Sequence, residues 1–234
     1  MPFALTAVQL EEAMGKPGCP ICRLAEDSAR KSAEGFLYEN ALNPGVRQPI
    51  IAARGFCPEH TRLLVAVEMS SSGPVLGVNY IYEQLARVVA AELKSKPAPR
   101  RWLRSSSQPL PCPLCTLVEQ SATNLLQALF EELENSSEKA QGVYAQSDSL
   151  CYAHLRQGLA ENSRAYPTAA RFLTNETLHR LEANSTNMQE YIRKHDWHYR
   201  DEPLSPAELN AWKKTLTFFT GLPEEKFNHK IEKR

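Results

Sequence analysis

Six cysteines stand in four short pairs, and the pairs come in a repeated order. Cys19-Pro20-Ile21-Cys22 is followed by Cys57-Pro58-Glu59-His60, and Cys112-Pro113-Leu114-Cys115 is followed by Cys151-Tyr152-Ala153-His154. The gap between the pairs is 34 residues in the first half and 35 in the second. Each half therefore brings three thiols and one imidazole, the donor set of a tetrahedral zinc site.

The residue types fit that chemistry. Zinc is borderline soft and takes thiolate and imidazole readily. A spacer of two residues lets both ends of a pair turn onto one ion. Proline follows the first cysteine in three of the four pairs. Proline suits the first position of a helix, where its missing N–H had no partner anyway. Each pair is thus expected at a helix N-terminus, whose positive end favours thiolate. Four protein ligands leave no open position for water, so the zinc reads as structural and not catalytic. An iron–sulfur cluster usually takes four cysteines and is less favoured. A redox dithiol is the competing use of the CPxC pairs.

The halves also correspond outside the pairs. A shift of 93 carries Cys19 to Cys112, Ala29 to Ala122, Phe36 to Leu129, Pro74 to Pro167 and Leu85 to Leu178; at Cys57 and His60 the shift is 94. This reads as a duplication of one small domain. Helical spacing of apolar residues predicts a first helix from Pro20 to about residue 40, and from Pro113 to about residue 134. A short second helix is expected between Asn43 and Gly55, and at about 137–146. A third begins at each CxxH pair, and a fourth of about 20 residues begins at Pro74 and Pro167. No alternating strand pattern stands out. Ligand pairing is open at this level. Cys19, Cys22, Cys57 and His60 can share one ion and Cys112, Cys115, Cys151 and His154 the other, or the sites can interleave. Local pairing is favoured because each copy is then self-sufficient.

Between the copies, residues 97–111 are rich in Pro and Ser and read as a linker, with Arg100, Arg101, Trp102 and Arg104 at its centre. Basic residues around an aromatic can grip single-stranded nucleic acid, but a solvated linker is the favoured reading. The net charge is zero, with 27 basic and 27 acidic residues. A broad nucleic-acid footprint is therefore not expected. No apolar run approaches the roughly 18 residues of a spanning helix. Met1 to Gly15 has no basic start and so does not read as a secretory signal. A soluble, cytoplasmic chain is expected, which disfavours disulfides.

The C-terminal segment stands outside the repeat. His195-Asp196-Trp197-His198-Tyr199-Arg200-Asp201-Glu202 is dense in polar and aromatic groups. It reads as a loop that docks the last helix through Trp197, Tyr199 and ion pairs; a further metal site on His195, Asp196 and His198 would need a third ligand. Ser205-Pro206-Ala207-Glu208 is a capping box opening a helix to about Thr220, with a stop at Gly221. Its Leu209, Trp212, Leu216 and Phe219 form an apolar stripe, read as core, with a homodimer interface as the alternative. His179 and His229 read as surface residues. No phosphate-binding loop, nucleophile elbow or metalloprotease motif occurs, so no catalytic residue is assigned.

CPIC…GFCPEH, CPLC…CYAH and RKHDWHYRDEPLSPAELNAWKKTLTFFTG together resemble a bacterial family of unknown function. The resemblance implies that the eight Cys and His residues of the four pairs are metal ligands, and supplies no substrate. The expectation is an all-α protein: two tandem copies of a small helical zinc-pinned module, 1–96 and 112–198, joined by the 97–111 linker and followed by a 199–234 extension. Two Zn2+ per chain and an unidentified protein partner complete it.

Overall fold

Proline opens seven of the ten α-helices among the described residues of this computed structural model. The structure describes residues 2–39, 43–70, 73–95, 110–135 and 137–227. The helices are α1 (Pro2–Met14), α2 (Pro20–Glu34), α3 (Pro44–Ala52), α4 (Pro58–Met69), α5 (Gly77–Ser95), α6 (Pro113–Asn135), α7 (Ser137–Gln146), α8 (Tyr152–Asn162), α9 (Pro167–Lys194) and α10 (Pro206–Thr220). A π turn, Gly35–Glu39, follows α2, and a 3-10 turn, Glu224–Phe227, follows α10. No strand occurs among the described residues, so the fold is all-α.

The expected helix starts hold closely. Asn43 caps α3 by accepting from the Gly45 N–H. At its other end Gly55 sits at φ +101°, a backbone conformation glycine adopts without strain. Ser205 and Glu208 form the reciprocal capping box of α10, and Gly221 closes that helix at φ +76°. Three positions differ. The α1 helix was not expected. α9 runs for 28 residues, well beyond the expected 20, with Arg193 and Lys194 in its last turn, where cations offset the carbonyl end of the dipole. α5 begins at Gly77, not at Pro74. Its first N–H groups, from Gly77 and Val78, donate to the buried Glu68 carboxylate at the end of α4. A carboxylate at a helix N-terminus is favoured by the dipole, which accounts for a buried charge there. Glu134 does the same for α9, accepting from Ala169 N–H at 2.8 Å.

Two compact units result. One comprises residues 1–24 and 122–234; the other comprises residues 25–121. The division falls inside α2 and inside α6. In the first unit α9 pairs with α10 and also meets α7 and α8, and α1 packs on α7. Its core contains Leu10, Ile21, Leu126, Leu129, Phe130, Tyr144, Leu155, Leu173 and Phe218. In the second unit α5 packs on α3, α4 and the π turn, and Ala33, Leu37, Leu64, Val67 and Leu114 form the core.

The stripe on α10 faces the other way from the expectation. Leu209, Trp212, Leu216 and Phe219 are exposed, Phe219 by 58%. Glu208, Ala211, Thr217 and Phe218 are the buried positions. The small Ala211 lets α10 approach its neighbours, and Glu208 is held inward by Lys194 at 2.8 Å. In the 195–202 loop only Trp197 departs from the expectation: it is 72% exposed and stacks on its neighbour His198 at 3.8 Å, while Lys194, with Glu208 and the Pro203 carbonyl, ties α9 to α10. Arg193 stacks on Tyr199 at 4.7 Å and pairs with Glu190 and Glu202. His179 is exposed as expected. Arg100, Arg101, Trp102, Arg104 and His229 lie outside the described residues.

At Gly158, α8 packs closely against α6. A Cβ there would lie 2.7 Å from Phe130 Cε2 and 3.2 Å from Leu126 Cδ2. Gly158→Ala should therefore overpack this contact and lower stability by about 1–3 kcal/mol, read as a shift of the denaturant midpoint at constant m-value.

Candidate metal centres

All four pairs use one local geometry. Cys57 and Cys151 are the N-cap residues of α4 and α8, with nearly equal backbone angles (φ −65°, ψ 163° and φ −71°, ψ 163°). Cys19 and Cys112 hold the same place before α2 and α6. In each case the carbonyl of the first cysteine accepts the first helical hydrogen bond, from Arg23, Thr61, Thr116 and Leu155 respectively. The second member of each pair, Cys22, His60, Cys115 or His154, is then the third residue of the helix. N-cap and third-residue side chains face each other across the first turn, as they do in a capping box. The two-residue spacer is the spacing of that geometry.

Two quartets form. Cys19, Cys22, Cys151 and His154 bring their ligand atoms within 4.8 Å of one another, and so do Cys57, His60, Cys112 and Cys115. We call these the first and second centres. This is the interleaved pairing, and it overturns the expectation of local pairing. The physical reason lies between the cysteines. Ile21, inside CPIC, is fully buried in the core built from α6 to α9, and Leu114, inside CPLC, is fully buried with Ala33, Leu37, Leu64 and Val67. Each apolar residue carries its CPxC pair to the CxxH pair of the other half.

The distances suit a tetrahedral ion. In the first centre Cys22 Sγ lies 3.7 Å from Cys151 Sγ, and His154 Nδ1 lies 3.3–3.6 Å from the three sulfurs. In the second, Cys57 Sγ lies 3.7 Å from Cys115 Sγ, and His60 Nδ1 lies 3.2–3.5 Å from the three sulfurs. Zn–S and Zn–N bonds of about 2.3 and 2.0–2.1 Å at tetrahedral angles require edges of roughly 3.8 Å between sulfurs and roughly 3.5 Å from sulfur to nitrogen. Both quartets match, and both present Nδ1 of the histidine. Either can hold a metal ion of zinc's size and preferences.

The electrostatics point the same way. Hydrogen bonds with Cys19 and Cys22 hold the Cys151 thiol far below its usual range, while hydrogen bonds with Cys151 and Cys19 push Cys22 far above it. Burial opposes the charging of His154, but hydrogen bonds with Cys151 and Cys19 outweigh it and raise the imidazole to about 10. In the second centre burial acts against ionisation of Cys57, yet the His60 N–H and the Cys115 and Cys112 thiols hold it below its usual value. Cys115 is pushed up to about 12 by burial, then by its hydrogen bond with Cys57 and the charge of Cys112. Three crowded thiols cannot all ionise unaided. A dication lets them do so. Three thiolates and a neutral imidazole leave such a site at about −1 by formal count, and the two helix N-termini meeting there offset it.

The described residues contain no third quartet or trio of this kind. His198 Nδ1 lies 2.9 Å from Asp196 Oδ1, but His195 Nδ1 is directed to the Tyr191 carbonyl, so these three do not converge. One supporting residue escaped the sequence reading. Tyr144 is fully buried, and its hydroxyl accepts from the Leu150 N–H at 3.0 Å, fixing the backbone just before Cys151. A buried tyrosine seven residues before Cys151 carries no pattern that would have marked it.

The chain matches over residues 1–226 the family described as Family of unknown function (DUF6062). It belongs to this family. No curated protein and no solved structure matches it. No helix among its described residues is long and apolar enough to cross a membrane.

Two outcomes follow. Tyr144→Phe leaves the buried Leu150 N–H without a partner and should cost about 1–3 kcal/mol in thermal or denaturant unfolding. Zinc added to metal-free protein at pH 7 should release protons, because Cys115, held up to about 12, is protonated there and must ionise to bind. The apparent affinity should therefore fall as the pH is lowered; a pH indicator in weak buffer reads the first effect and a competing chelator the second.

Proposed function

We propose that this protein is a non-enzymatic interaction or regulatory protein whose helices are held by two structural Cys3His zinc sites. The observation that carries the reading is the match of both quartets to tetrahedral edges, through the same atoms, from four pairs with the same N-cap geometry. Metal would join the start of α2 to the start of α8, and the start of α4 to the start of α6. Binding energy for a structural zinc is on the order of 10 kcal/mol, comparable to the whole stability of a domain. Metal would then decide whether these helices stay together.

The order long, short, CxxH-led, long recurs in α2–α5 and α6–α9. We read it as a duplication, with the CPxC helices reaching across to the opposite copy's CxxH pair. The ligand sets leave no coordination position for a substrate water, which supports a structural role over a hydrolytic one. Thiol-rich sites of this kind suit a reducing compartment such as the cytoplasm.

Metal analysis of untagged protein purified without oxygen should give two zinc ions per chain. The pairing is tested by a double variant. Cys19→Ala with Cys151→Ala removes two ligands of one interleaved centre and should leave one zinc, whereas local pairing would have it lose both. Iron with sulfide, or six free thiols with no metal, would overturn the proposal.

A further inference from the structure

The two centres have the same ligands but different surroundings. In the first, Cys19 and Cys151 are 1% and 4% exposed and belong to the apolar core, with Cys22 half-buried against it. In the second, Cys57 and Cys115 are both half-buried. The C-terminal segment, which stands outside the repeat, covers the first centre. Gly221, just after α10, lies directly over the first centre. Its carbonyl accepts from the Cys19 N–H at 3.2 Å, and a Cβ on it would lie 2.6 Å from Cys22 Sγ and 3.6 Å from Cys151 Sγ. Gly18 lies against the same turn, where a Cβ would meet the Gly221 carbonyl at 3.1 Å, and its N–H donates to Asp148. Only glycine lets the chain come this close to the sulfurs. Among the described residues, no glycine turn covers the second centre in this way.

We propose that the second centre, Cys57/His60/Cys112/Cys115, is the releasable and thiol-reactive one, and that the Gly221 turn locks the first. This rests on the zinc reading above and adds an order of release to it. Zinc leaves a Cys3His site when a competing ligand or an oxidant reaches a sulfur, so access to sulfur sets the order. With a peroxide as oxidant the chemistry closes within the second centre. The Cys57 sulfur attacks peroxide, an S–O bond forms, the O–O bond breaks and hydroxide leaves. The Cys115 thiolate, 3.7 Å away, then attacks that sulfur; an S–S bond forms and a second hydroxide leaves. Two thiolates lose two electrons, peroxide gains them, and the zinc ion goes free. The first centre keeps its metal, because its sulfurs lie beneath the Gly221 turn and in the core.

The test uses the full chain, first shown by metal analysis to carry two zincs. Dilute hydrogen peroxide is added in the presence of a chromogenic zinc indicator, and samples are alkylated and mapped by mass spectrometry. One zinc per chain should appear at least tenfold faster than the other, with Cys57 and Cys115 oxidised while Cys19, Cys22 and Cys151 remain reduced. Reductant and zinc should restore the first sample. Release of both metals at one rate, or oxidation of Cys19, Cys22 and Cys151 first, overturns the order and leaves the two-zinc reading standing. A protein isolated without zinc overturns both. Gly221→Ala supplies the second arm: it should speed the slow phase toward the fast one and leave the fast phase unchanged. If that variant does not fold, the phase order and cysteine map of the unmodified protein decide the question alone.

Discussion

Everything in this fold hangs on helix N-termini meeting in pairs. At each meeting point four side chains come from N-cap and third-residue positions, two from each helix. The arrangement satisfies several needs at once. The first turn of a helix has N–H groups without partners, and a thiolate placed there accepts from them, as Cys57 does from the His60 N–H. The helix dipoles oppose the excess negative charge of three sulfurs. Proline at the first helical position costs no hydrogen bond and sets the backbone for the turn. Nothing in this motif requires a long recognition sequence, which is why the chain carries it in four short pairs.

Most of this was legible in the residues, for reasons that differ from element to element. The clustering of the eight Cys and His residues and most of the helix starts followed from spacing, because an N-cap and a third helical residue are three apart whatever the rest of the chain does. The short helices at 44–52 and 137–146 followed from caps and breaks. The pairing did not follow. It depends on which core receives Ile21 and Leu114, and a single apolar residue inside CPIC or CPLC says only that it will be buried. The α10 face was misread for a related reason. Its most apolar stripe was assigned to the core, but the side that packs is the one with Ala211 and the Lys194–Glu208 pair. Close approach and a buried ion pair decided the orientation over apolar area alone. The long α9 runs on to Lys194, just before the C-terminal segment begins at His195.

The C-terminal segment gives two similar centres unequal protection. Two quartets of the same residue types have no reason of their own to differ. The helix α10, with a glycine at its end, makes the difference by laying backbone over the first one, where a side chain cannot go. The same helix presents Leu209, Trp212, Leu216 and Phe219 outward, with Tyr152, which directly follows the ligand Cys151, packed against Phe218 and Phe219. Through Tyr152 these rings lie one residue from Cys151 of the first centre.

Interleaving also sets a timetable for synthesis. Cys57 and His60 meet their partners when residue 115 has emerged, but Cys19 and Cys22 wait for His154, 132 residues after Cys22. At ribosomal rates of about 5–20 residues per second, that wait is on the order of ten seconds. Over the last 39 residues of that wait, from residue 115 to residue 154, the first pair of thiols on the nascent chain has no completed site while the second centre has all four of its residues. The centre with the deeper burial in the finished protein is thus the later one to be completed, and it waits until about two-thirds of the chain has been made.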